Sequence, residues 1–204
     1  MKSQHLLSVV AAAVLAAIIL GAMAEPTPPE SVEPQYDARM RLKLPADYRD
    51  WVFLSSGLDM SYSQAATMPG AHMFNNVFVP RAAYLAFKAT GIWPDKTMII
   101  LENRSGAKDV SINKRGVVQT GEVMGLEAHV KDARLEGGWG FYSFDDGKPA
   151  AQIAHTAACY ACHQDHAAAD TTFVQFYPTL LPFATQHGTL NPKYLSEIAA
   201  AKEK

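Results

Sequence analysis

The sequence predicts a mainly β domain of the α+β class, an antiparallel sheet with a few flanking helices. Short runs rich in β-branched and aromatic residues recur between Pro and Gly breaks, as strands do. Apolar residues at helical spacing occur only in a few short stretches, and no internal repeat is visible.

Taken in order, Met1 and Lys2 precede an apolar run from Leu6 to Leu20, followed by GAMAEP, in which Ala22-Met23-Ala24 has the small-x-small form of a cleavage site. Residues 1–24 read as a signal peptide, since the run is too short and too well terminated for a transmembrane helix. Residues 25–43 open with EPTPPESVEP, rich in proline and acid, and read as an extended tether. The folded domain is expected over 44–185, with a C-terminal tail over 186–204. Within it, LPADYRDWVFLSSG (44–57) offers Asp47 as an N-cap and Tyr48, Trp51, Val52 and Leu54 or Ser55 at helical spacing before Gly57, which predicts a short helix. HMFNNVFVP and TMIILENR read as strands, and RAAYLAFKATG between them as a helix stopped by Gly91. VMGLEAHVKD and GWGFYSF, separated by ARLEGG, are two further strands. DTTFVQFYPTL reads as helical up to Tyr177, where Pro178 stops it, and the Ala/Lys-rich tail after Tyr194 as a frayed helix or disordered.

The chain has 18 basic and 20 acidic residues; loss of residues 1–24 removes only Lys2 and leaves a net charge of −3. No Lys/Arg block is present, so nucleic acid is not an expected partner. A mature length of 180 residues suits one domain with a sizeable core.

Both cysteines fall in HTAACYACHQDH, spaced Cys159-x-x-Cys162-His163. That is the attachment pattern of c-type haem, in which two thiols become thioethers and the histidine ligates iron. A disulfide between them would close a very short loop and constrain the unfolded chain little. A structural zinc site would need two more ligands, and His155 and His166 stand at no familiar spacing. A thioredoxin-like pair would want a βαβ context, which is missing. Haem c is attached outside the bacterial inner membrane, so the signal peptide and the haem motif agree on a periplasmic protein with one covalent haem c near the C-terminal end of its domain.

LPADYRDW, the TG that follows the next strand, GLEAHVKD, GWGFYSF, CYACH and DTTFVQFYP together resemble the cytochrome P-460 family, including its cytochromes c′-beta, from about Leu44 to Pro182. The resemblance implies a periplasmic, often homodimeric, β-rich protein with one c-type haem and a histidine on one side of the iron. Cytochromes P-460 oxidise hydroxylamine with a haem cross-linked to a lysine; cytochromes c′-beta lack that bond and bind nitric oxide in an apolar distal pocket. Reading TGIWPDKTMIILENR in the family's register places Leu101 at the lysine position and Glu102 after it, with Lys88 and Lys96 the nearest lysines in sequence. Asn75 stands where the enzymes carry a distal arginine, and Glu127 matches their proton-transferring glutamate. These features point to the cytochrome c′-beta branch.

Three functions follow. The first is binding of a small gaseous ligand such as nitric oxide at an apolar distal site walled by Leu101 with Phe74 or Phe78, beside Asn75 and Glu127. The second is hydroxylamine oxidation, with Glu127 as proton relay. The third is electron transfer to an unknown redox partner, with Met73 as sixth iron ligand because it shares strand parity with Asn75. Met98 and Met124 have the opposite parity to Leu101 and Glu127 and read as core, while His129, His155 and His166 read as surface or hydrogen-bonded residues, leaving His163 as the proximal ligand.

Overall fold

A computed structural model of the chain describes residues 32–62 and 71–203; the expected signal peptide and the first part of the tether lie outside them. Strands β1 (Val52–Leu58), β2 (His72–Val79), β3 (Met98–Ala107), β4 (Val118–Lys131) and β5 (Trp139–Phe144) form one antiparallel sheet in chain order. Helices α1 (Arg81–Thr90), α2 (Ala158–His166), α3 (Leu181–Gln186) and α4 (Pro192–Lys202) flank it. The mainly β, α+β expectation therefore holds.

Alternation along the strands divides the core in two. One face buries Val77, Val79, Ile99 and Phe141 under Phe87 of α1, Trp93, Tyr160, Val174 and Leu180. The other buries Met98, Ile100, Ala128, Val130, Tyr142 and Phe144 under Leu42 and Tyr48. Helix α1 stops at Gly91, whose φ of 73° lies in the left-handed region and whose N–H donates to the Phe87 carbonyl at 2.7 Å. A β-carbon there would also come within 2.6 Å of the Thr189 hydroxyl oxygen.

The helix expected over 44–57 is instead a 3₁₀ turn, Tyr48–Asp50, leading into β1. Tyr48 and Val52, four residues apart, satisfy period two as well as helical spacing, and a distant partner decides between them. The Tyr48 hydroxyl donates to Glu102 at 2.5 Å, joined by Arg49 at 2.6 Å, Arg104 at 2.7 Å and the Asn76 amide at 3.3 Å. Glu102 is 2% exposed, and these donors hold its carboxyl down at about 2 against its burial. Further on, a register shift between Phe53 and Ser55 marks a bulge that brings Leu54 into the core while Ser55 and Gly57 keep the same face.

Packed structure also begins earlier than the composition suggested. Tyr36 bridges Leu42, Leu42 bridges Ala150, and Leu42 is fully buried. The expected helix ending at Tyr177 is only the 3₁₀ turn Val174–Phe176. Past Pro178, α3 and α4 follow; Asn191 caps α4 by accepting from the Lys193 N–H, and Lys193 and Glu197 pair with Asp165 and His166 of α2. The tail is thus a docked helix.

Candidate functional site

A cavity of about 310 Å³ lies between the first sheet face and α2, at the lower end of the size range for small-molecule and cofactor sites. Strand register fixes its sheet wall as three rows. The first is Gly57, Asn75, Asn103 and Gly125; the second is Ser55, Val77, Leu101 and Glu127; the third contains Ile99 and His129, continuing to Phe141 on β5.

Helix α2 supplies the opposing side. Cys159 and Cys162, one turn apart, both line the cavity as free thiols, and His163 lines it beside them. His163 is 8% exposed, its ring 4.6 Å from that of His129, 4.7 Å from Phe141 and 4.2 Å from Phe173. Its Nδ1 bonds the Thr171 carbonyl at 2.9 Å, which makes Nδ1 the protonated nitrogen and leaves Nε2 as a free base. Burial pushes its pKa below the usual histidine value, toward the neutral form that a metal ligand must have.

The turn that aims this carbonyl is strained and heavily tied. Asp170 and Thr171 take φ of 48° and 58°, a conformation disfavoured for a β-branched residue. Asp170 is held by Lys131 at 2.6 Å and by the Trp93 N–H at 2.9 Å, while the Trp93 indole donates to the Thr172 hydroxyl at 2.9 Å. No sequence pattern pointed to Asp170 or Thr171, because the partners that tie Asp170 lie 39 and 77 residues away. The only local signal was an Asp-Thr-Thr triplet soon after the cysteine motif.

Leu101, Asn75 and Glu127 all line the cavity, as their parity requires. Glu127 makes no hydrogen bond to a described residue, and burial raises its pKa. The Asn75 amide nitrogen donates to the Asn103 side-chain oxygen at 2.8 Å, and its own Oδ1 is buried without a partner. The wall is therefore mixed: Val77, Ile99 and Leu101 are interrupted by two acceptors.

Several expected residues lie elsewhere. Met73 shares the parity of Asn75 but sits one strand step beyond the cavity, where its backbone is paired with Asp59. Phe74 and Phe78 alternate onto the other sheet face, Phe78 packing edge-on to Tyr48. Met98 is core, whereas Met124 is 46% exposed. His155 and His166 stand outside the cavity beside Glu136 and Glu197, and no group of three or more His, Cys, Asp or Glu among the described residues is arranged to hold a metal alone. His129, read as a surface or hydrogen-bonded residue, instead faces the cavity between Phe141 and His163, with no hydrogen bond to a described residue, and burial holds its pKa well below the usual value. Lys96 pairs with Asp132 at 2.6 Å and Lys88 lies over the Tyr84 and Phe183 rings, so neither lines the cavity.

The donor chemistry fits a covalently attached haem: two thiols and an imidazole with a free nitrogen front one largely apolar cavity, the set that thioether formation and axial ligation require. Among curated proteins no significant match is found. The family model for cytochrome P460 matches residues 45–174, which span the sheet, α2 and the Thr171 turn. Over most of its length, then, the chain belongs to the cytochrome P460 family, whose cofactor is a haem.

Proposed function

We propose that this chain is a periplasmic mono-haem c protein of the cytochrome c′-beta kind, a homodimer that binds nitric oxide at its haem iron. The observation that carries the reading is Leu101: it stands in the middle of the cavity wall, in the position the resemblance gives to the cross-linking lysine, and no lysine among the described residues lines the cavity. When bound, the haem supplies the iron to which the small ligand attaches. Cys159 and Cys162 would hold it by thioether bonds, and His163, oriented by the Thr171 carbonyl, would be its ligand. Val77 and Leu101 exclude water from the side where the ligand enters.

Glu127 supports a second reading, oxidation of hydroxylamine. It faces the cavity with no hydrogen bond to a described residue, and its raised pKa suits a carboxyl that holds and passes a proton. The two readings separate in one experiment on periplasmically expressed holoprotein. Nitric oxide titration followed by absorption spectroscopy should show stoichiometric binding. Hydroxylamine with an artificial electron acceptor should show no turnover, and peptide mapping should find no haem joined to Lys88 or Lys96. Sustained turnover would move the assignment to the enzymes.

A further inference from the structure

We propose that the Met60 thioether is a sixth, resting ligand for the haem iron, placed opposite His163, so that the protein's own sulfur closes the distal site and an incoming ligand must displace it. Such a role presupposes the haem c reading above.

Met60 lines the cavity, and its sulfur has a seat made for it. A β-carbon on Gly57 would lie 1.9 Å from the Met60 Sδ and 2.6 Å from its Cγ, so the thioether fills the space that a side chain at 57 would take. Gly57 is itself part of the cavity wall.

The residue before it is clamped. Asp59 takes a left-handed φ of 54°; its N–H donates to the Met73 carbonyl at 2.8 Å, its Oδ1 accepts from the Met73 N–H at 2.9 Å, and its Oδ2 is 2.7 Å from His72 Nδ1. Such a conformation persists only where the surroundings over-determine it. Here they direct the chain back across the end of β1 so that residue 60 turns onto the wall.

The placement is separated from the imidazole along the sheet wall. Gly57 belongs to the first row of the wall, paired with Asn75, whereas His163 packs on His129 and Phe141 of the third. The row of Leu101 and Glu127 runs between. Imidazole and thioether thus line one cavity with a row of the wall between them. A thioether is a soft, neutral ligand that binds haem iron in cytochromes c and raises the potential. A methionine that merely filled space would need neither a cleared glycine nor a clamped neighbour. In the exchange, the iron–sulfur bond would break first and the incoming ligand would take the vacated position; no electron or proton would move.

The test uses full-length holoprotein, its haem first verified as the pyridine haemochrome; absence of haem c there would overturn the haem reading itself. Wild type should then give low-spin, six-coordinate spectra with a ferric sulfur-to-iron charge-transfer band. Met60→Leu, which keeps the volume, and Gly57→Ala, which keeps the sulfur but pushes it off its seat, should each become five-coordinate and high-spin, with a lower potential. Met73→Leu should leave the spectrum unchanged. Carbon monoxide binding to the ferrous wild type should level off at high carbon monoxide concentration, limited by release of the thioether, and be on the order of ten-fold faster in Met60→Leu. That kinetic signature needs only wild type if the variants do not accumulate. A high-spin wild type, a low-spin spectrum that survives Met60→Leu, or a binding rate that stays linear in carbon monoxide would overturn the assignment.

Discussion

Replacing Glu102 by glutamine keeps the side chain's shape and removes its charge. In the fold the carboxyl is held at about 2 rather than 4.5 by Arg104, Tyr48, Arg49 and Asn76. That difference corresponds to about 3 kcal/mol of stability at neutral pH before screening. The Arg49 side chain is 53% exposed, so water screens part of the interaction, and about 2 kcal/mol should be observable. Because the folded value is depressed, the contribution is complete above the unfolded carboxyl range and fades as pH falls from 4.5 toward 2. Urea unfolding of holoprotein should therefore show Glu102→Gln less stable by about 2 kcal/mol at pH 7 and by about half that at pH 3. A loss under about 0.5 kcal/mol at pH 7, the size of an ordinary surface change, would refute the idea that this cluster holds the sheet. So would a gap that does not shrink on acidification.

Cys159→Ala combined with Cys162→Ala should yield protein whose haem is released on denaturation, whereas the wild type keeps it and gives a two-thioether pyridine haemochrome; zinc in place of haem in the wild type would sink the assignment. Leu101 is half-buried, so Leu101→Ala should cost about 2 kcal/mol and speed nitric oxide entry in stopped flow. An unchanged entry rate would remove Leu101 from the path. Burial raises the Glu127 pKa, so the folded state disfavours the charged form, and the penalty is present at neutral pH but relieved as both states become protonated on acidification. Glu127→Gln should accordingly raise the melting temperature at pH 7 more than at pH 4 while leaving nitric oxide affinity nearly unchanged. A lower melting temperature at pH 7 would mean that the carboxylate is held by a partner.

How much of this was readable in the chain depended on how local the cause was. Strands β2 to β5 follow from period-two patterns, and α1 from helical spacing closed by Gly91, all signals carried within about a dozen residues. The Cys159-x-x-Cys162-His163 motif is equally local. Residues 44–57 mislead because Tyr48 and Val52, four residues apart, fit either period, and the choice is made by Glu102, which lies 54 residues from Tyr48. Parity placed Asn75, Leu101 and Glu127 on the right face but says nothing of where along a strand the cavity ends, which is why Met73 falls beyond it. Met60 was invisible for another reason: its position follows from a left-handed Asp59 and a missing side chain at Gly57, neither of which has a periodic signature.

The strand order, identical to the chain order, has a consequence for assembly. Each strand pairs with the strand just before it in the chain, so no pairing has to close a loop across the whole sequence. Low contact order of this kind favours rapid formation relative to sheets whose edges meet across the whole sequence. Since a chain emerges N-terminus first, the wall bearing Leu101 and Glu127 can be complete before α2 arrives. The two thiols are then presented to a preformed surface, so that on the proposed haem c reading attachment of the haem would be the closing step of folding rather than its nucleus.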